Sequence, residues 1–398
     1  MKKIILLFVV VLISSGLVTA QDAENRAMTV DDVLNMVSVG NALMSPDGNW
    51  VFFSKSTLNW EKNKRDSKYY MVPAGGGEAF QYIGEGGGSS FAFSPDGKLL
   101  TFKRSVEKKS QIFFMRTSGG EAVQLTKHKN SVGSYKWSAD GKKIFFTASE
   151  ARNDEEEKKY KAGYDMVFID EGPSGQKTGS WSNLWVFDLE SKKEERITEE
   201  DFIVGGFDPS PDGQRILFSA RYSNRRNDGN MNEVYIINVT NKMKTRLTDN
   251  NAPEGGMLWA PDGKTFAYTA ADDQDWMNRN TKLWLMDPNT KEHRLLSGGF
   301  EGSIRGLYWS PDGRMIYFNG QQKTNTNLFT IDVGTGEFRQ VTKVDGTLRV
   351  GNMSKDRSKF VYSFTDFDTP GDIYASSAES FSPVRLTDAN PWVEKELL

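Results

Sequence analysis

Along most of the chain, apolar residues fall at every second position in short runs, and each run follows the same polar punctuation. Ser45-Pro46-Asp47-Gly48 recurs as Ser94-Pro95-Asp96-Gly97, Ser138-Ala139-Asp140-Gly141, Ser210-Pro211-Asp212-Gly213, Ala260-Pro261-Asp262-Gly263 and Ser310-Pro311-Asp312-Gly313, with a degenerate copy at Ser354-Lys355-Asp356-Arg357. The starts lie 49, 44, 72, 50, 50 and 44 residues apart. Proline presets φ at the second position of a type I turn, Asp suits the third, and Gly accepts the left-handed conformation that follows. Six and eight residues after each start stand Val51/Phe53, Leu100/Phe102, Ile144/Phe146, Ile216/Phe218, Phe266/Tyr268, Ile316/Phe318 and Phe360/Tyr362. All are apolar at period two, which is the strand signature. The residue between is often apolar too (Phe52, Phe145, Leu217, Tyr317, Val361). Sheets with two apolar faces must be covered on both.

Each copy then supplies a second hairpin, as in Leu184–Asp188, Leu283–Asp287 and Leu328–Asp332. A closing strand follows, ending in Leu125-Thr126, Ile197-Thr198, Leu247-Thr248, Leu296-Ser297, Val341-Thr342 or Leu386-Thr387, and less regularly in Ile83-Gly84. Four antiparallel strands per roughly 45–50 residues are the mark of a propeller blade. The expectation is an all-β, seven-bladed β-propeller of four-stranded antiparallel blades over residues 38–392. The Gly-His…Trp-Asp signature of WD40 repeats is absent, and the Asp-Gly pair lacks the spacer of sialidase Asp-boxes. A short N-terminal helix is expected within a lead-in segment, residues 21–37, capped by Thr29 with Asp32 and burying Val33, Leu34 and Met36.

The 72-residue interval holds an insertion of about residues 150–181 inside the third blade, with an acidic and basic run Asp154–Lys159, then Asp165–Asp170 and a Gly/Ser-rich stretch, Gly172–Ser180. Antiparallel geometry puts the links between second and third strands on one face, with the links between blades. Long links of that kind are expected at Ser56–Lys68, Tyr222–Asn232 and Asp272–Lys282. Loops on a rigid scaffold are where binding concentrates. Arg225, Arg226, Asp272, Asp273 and Trp276 are therefore the candidate binding residues of a loop-rich face. The acidic trio Asp272, Asp273 and Asp275 lacks the glycine spacing of a calcium loop, so no metal is expected there.

Lys2 and Lys3, the apolar run Ile4–Ile13 and small residues at Val18-Thr19-Ala20 read as a signal peptide, residues 1–20, cleaved before Gln21. The expected destination is the periplasm or the exterior, with no membrane attachment after cleavage. Formal net charge is −3, which argues against nucleic acid as a partner. With no cysteine, disulfides, thiol catalysis and thiolate metal sites are excluded. No Gly-x-Ser-x-Gly elbow occurs, and the two histidines, His128 and His293, read as exposed surface residues in different blades. No catalytic residue and no cofactor is expected.

Taken in order, the export signal, Thr29–Leu34, Val39-Gly40-Asn41 leading into Ser45-Pro46-Asp47-Gly48, and the blades that follow resemble the propeller half of the prolyl oligopeptidase family of serine peptidases, near its dipeptidyl-peptidase and acylaminoacyl-peptidase branches. The resemblance covers about residues 28–392; the Ser-Pro-Asp-Gly repeat is shared with the Tol-system periplasmic propeller. It implies a non-catalytic, substrate-gating domain that caps an α/β-hydrolase domain and admits short peptides. Residues 393–398 would open the linker to that domain, and no triad residue has a matching position here. The alternative is a free-standing periplasmic propeller that binds an envelope protein or peptide.

Overall fold

The computed structural model describes residues 26–84, 86–151, 154–163, 181–223, 226–250, 252–272 and 275–397. The expected signal peptide, Asp165–Asp170 and Gly172–Ser180 lie outside them. Among the described residues, twenty-eight strands follow one another in runs of four, and each run contains one copy of the turn between its first two strands. We call these runs repeats; they occupy residues 38–83, 89–124, 132–196, 203–246, 255–295, 303–340 and 347–385.

The turn works as the sequence predicts, and its serine adds a second bond. Gly48 donates its N–H to the Ser45 carbonyl at 2.9 Å, with φ +70°. The Ser45 hydroxyl accepts from Trp50 N–H at 3.0 Å and donates to Asp47. Asp47 in turn accepts from Asn49 N–H at 3.1 Å. The same set recurs at Ser94, Ser138, Ser210, Ser310 and Ser354. These bonds favour the ionised carboxylate; at Asp356 the Ser354 hydroxyl leads in bringing it down to about 2. In the degenerate copy Arg357 takes the glycine's place at φ +64°. Its guanidinium is held by the Trp309 and Ser354 carbonyls at 2.9 and 3.0 Å, which offsets the strain of a left-handed non-glycine residue.

The strand that follows each turn is buried on both faces. Val51, Phe52 and Phe53 are fully buried, as are Ile144, Phe145 and Phe146, and Ile216, Leu217 and Phe218. Consequently each hydrophobic cluster lies between two consecutive repeats rather than inside one. Phe52, Tyr69, Phe91 and Phe102 join the first to the second. Val51, Phe53, Val361 and Ile373 join the first to the seventh.

Hydrogen bonding groups the strands into five sheets, three of four strands and two of eight. The eight-stranded sheets arise where the first strand of one repeat touches the third strand of the repeat before it. A single parallel bridge does this in each case, Ser182 with Ile203 and Thr326 with Thr347. The first and seventh repeats share no strand. Asn352 closes that seam through its side chain, accepting from Met44 N–H at 2.6 Å and donating to Met44 carbonyl at 3.0 Å.

A further device recurs from the second repeat onward. The hydroxyl that ends each fourth strand accepts from a third-strand N–H: Thr126 from Ile112, Thr198 from Leu184, Thr248 from Val234, Ser297 from Leu283, Thr342 from Leu328 and Thr387 from Ile373, all at 2.8–2.9 Å. Except in the fifth repeat, it also donates to the buried polar residue just before, namely Gln111, Asn183, Glu233, Asn327 or Asp372. In the fifth repeat Lys282 fills that place and reaches the Phe300 carbonyl instead. These buried polar groups are thereby satisfied, and they tie each blade's end to the link leaving it.

Two expectations are corrected. Ser56–Lys68 is not a long loop: the second and third strands of the first repeat, Trp50–Asn59 and Lys64–Pro73, stay paired out to Asn59 with Lys64. His128 is not an exposed surface histidine. It is buried edge-on against Phe146 and Trp185, with Nδ1 2.7 Å from Glu194 Oε2. Its link crosses the outer strand of the third repeat, whose acidic residue captures the ring. His293 is exposed, as expected.

Candidate functional site: the loop-rich end of the sheets

Second–third strand links and inter-repeat links emerge at the same end of the sheets, and so do the segment entering the first repeat and the segment leaving the seventh. The helix α1, Val30–Asn35, is started by a complete capping box between Thr29 and Asp32. It then runs directly into the first strand, Ser38–Met44. The helix α3, Pro391–Glu396, follows the last strand and buries Val393. Asn390 pins the two ends together, accepting from Val37 N–H and donating to Val37 carbonyl, both at 2.9 Å. Arg26 pairs with Asp32 at 2.7 Å and Glu396 at 3.1 Å, and its guanidinium holds the Asp32 carboxyl well below the usual range.

Contrary to the sequence expectation, α1 buries none of its residues. Val33 is 54% exposed and Leu34 41%. Too short to wrap the sheets, the helix is fastened by its polar groups instead. Arg65 donates to the Leu34 and Met36 carbonyls, and Trp60 Nε1 to Asn35 Oδ1 at 2.9 Å. Its apolar side is left facing outward.

The predicted site residues are dispersed along this end. Arg225 and Asp273 lie outside the described residues. Arg226 opens a 3-10 turn, Arg226–Asn230, in the fourth repeat's link. Asp272 is exposed at the start of the fifth repeat's link, and Trp276, half-buried, opens the 3-10 turn Trp276–Asn278 within it. In the third repeat the charged run forms helix α2, Asp154–Lys161. Among the described residues no group of three or more His, Asp or Glu is placed to hold a metal ion.

Two features of this end go beyond the sequence pattern. The first is the breadth of apolar exposure, which extends past Val33 and Leu34 of the first helix. Met28, Val30, Val33, Leu34, Trp60, Tyr222, Met231, Met277 and Phe367 are exposed here, against Trp50, Phe80, Val123, Met243 and Phe338 near the opposite end. The second is a cage already filled by the chain itself. Lys244 Nζ lies 5.3–5.5 Å from the rings of Phe202, Tyr222 and Tyr235 and bonds both Glu200 and Tyr222. Burial would raise the Glu200 carboxyl, but Lys244 and Tyr222 outweigh it and hold it below its ordinary value.

Comparison with known proteins places this architecture. Residues 193–350 match the family model of the prolyl oligopeptidase N-terminal β-propeller domain. The uncharacterized peptidase YuxL of Bacillus subtilis is 31% identical over 377 residues, covering 88% of this chain and 57% of its own length. This chain thus spans little more than half of that relative. In structure it is similar to the acylaminoacyl peptidase of Pyrococcus horikoshii, with TM-score 0.67 at 17% identity over 92% of this chain and 55% of that one. It is also similar to the β-propeller domain of the Trilobed protease of Pyrococcus furiosus, described as having an open velcro topology, with TM-score 0.59 at 15% identity over 89% and 99% of the two chains. The chain carries the N-terminal β-propeller domain of the prolyl oligopeptidase family.

Proposed function

We propose that this chain is the non-catalytic, substrate-gating propeller of an exported prolyl-oligopeptidase-family serine peptidase, and that its repeats are seven blades around one axis. The seven-blade reading is supported by the runs of four strands and by the buried clusters, each of which bridges neighbouring repeats, the last back to the first. It is supported too by the turns: Pro46 packs on Gly97, Pro95 on Gly141, Pro211 on Gly263 and Pro261 on Gly313.

One observation carries the docking role. Nine of the fourteen large apolar side chains exposed among the described residues lie at the end that carries α1 and α3. Apolar exposure concentrated on one side marks an interaction surface. Its position beside α1 and α3 suits a hydrolase domain tethered there, which would leave only short peptides room to enter. The test is to capture the native protein from its source envelope with an antibody to the propeller and treat it with a fluorophosphonate probe. A labelled serine, on the same polypeptide or on a co-purifying one, is the expected result. Captured material without any label overturns the proposal, and its recovery from the cytoplasm would overturn export.

A further inference from the structure

Five residues before each turn, the first strand carries Gly40, Ser89, Gly133, Gly205, Gly255, Arg305 and Arg349. The chain thus keeps this place minimal in five repeats and sets an arginine there in two. Both arginines are exposed, and neither forms an ion pair among the described residues. Arg349 lines a cavity of about 370 Å³ at the seam between the first and seventh repeats. The walls include Asn41, Ser90 and Ser363 beside Leu43, Phe91 and Ile373, with no acidic residue.

Backbone strain converges on the same place. Asn41 and Ser90 have φ of +51° and +55°. The other described non-glycine residues with left-handed φ sit in turns, whereas these two lie within first strands. The fifth and sixth repeats put Gly256 and Gly306 at the matching position, with φ +59° and +61°. Strain kept where glycine would relieve it is characteristic of binding sites. Here both residues line the cavity, with the Asn41 amide donating to Ser54 Oγ at 2.9 Å.

We propose that this seam cavity binds a carboxylate through Arg349, and that the carboxylate is the C-terminal one of a short peptide. A guanidinium grips a carboxylate with two parallel hydrogen bonds. The single cation, the hydroxyl and amide groups and the apolar walls suit a carboxylate borne on an uncharged chain. The choice of a peptide rests on the gating function proposed above.

The test uses the full chain and isothermal titration with tri-alanine as free acid and as C-terminal amide. The acid should bind at least tenfold more tightly. Arg349→Gln should erase that difference, Arg349→Lys should restore part of it, and Arg305→Gln, outside the cavity wall, should preserve it. Equal binding of acid and amide to the native chain overturns the site without recourse to any variant. So does an acid preference that survives Arg349→Gln. Displacement by acetate at equal concentration, or tighter binding of digalacturonate, would overturn the peptide as occupant. Fluorophosphonate capture does not depend on Arg349, so the gating proposal stands or falls separately.

Discussion

Glu254 offers the sharpest test of how the repeats are packed. Six residues before the turn, five other repeats place Val39, Val132, Val204, Ile304 and Leu348 and the second places Gly88, whereas the fifth places this carboxylic acid. It is only 7% exposed; Oε1 accepts from Asn250 Nδ2 at 2.6 Å and Oε2 has no hydrogen-bond partner among the described residues. Burial, with Glu233 nearby and against the pull of Asn250, pushes its carboxyl from 4.5 up to about 7. The folded chain therefore keeps a proton that the unfolded chain releases from pH 4.5 upward. Stability should fall as pH rises through the window from 4.5 to about 7, and stay lowered above it. At about 1.4 kcal/mol per unit, the loss is about 3 kcal/mol. Glu254→Gln keeps the shape and cannot ionise. Urea unfolding at pH 4 should find variant and native chain nearly alike, while at pH 8 the variant should be more stable by about 3 kcal/mol. A difference between them that is the same at both pH values would refute the reasoning.

Thr342→Val removes the hydroxyl that serves Leu328 N–H and Asn327, both inside the fold, and should cost about 2 kcal/mol in urea unfolding, with Thr342→Ser costing under about 1. An equal loss for both would assign the effect to packing rather than to the bond. Asn352→Ala deletes both side-chain bonds to Met44 and should cost about 1–3 kcal/mol, with hydrogen exchange quickening first in Ser38–Met44 and Thr347–Met353. Exchange quickening evenly over the whole chain would show that the seam is not a separate unit.

What the sequence revealed, it revealed through repetition. Val51/Phe53 and their counterparts announced buried strands because seven copies with one spacing override the ambiguity of any single apolar run. The Leu-Thr endings were visible, but their hydroxyl bonds were not, since the N–H that donates to the hydroxyl and the group that accepts from it stand 14 and 15 residues away across a ladder. His128 was misjudged for a similar reason: Glu194, which holds it, lies 66 residues downstream. Ser56–Lys68 looked like a loop because its alternation is polar, yet register with its partner strand carries it out as a hairpin. The apolar side of α1 was read correctly as apolar but wrongly as buried, since helix periodicity says which side is apolar and not what covers it. Arg349 and Glu254 could have been found by aligning the repeats and asking where one departs from the rest.

The bonding of Arg26 N–H to the Glu396 carbonyl at 2.9 Å has an implication for how the domain could be rebuilt. Arg26, before the first repeat, and Glu396, after the seventh, are already within a single hydrogen bond, so a splice of a few residues between them would close this segment into a loop. Fresh termini could then be opened in another inter-repeat link, such as residues 341–346, without cutting a four-strand run. The present starting blade holds no privileged place in such a circle. The side chain of Asn352 would still fasten Met44, but as one internal junction among equals, and a circular permutant that folds with native stability would show that the ring needs no fixed point of origin.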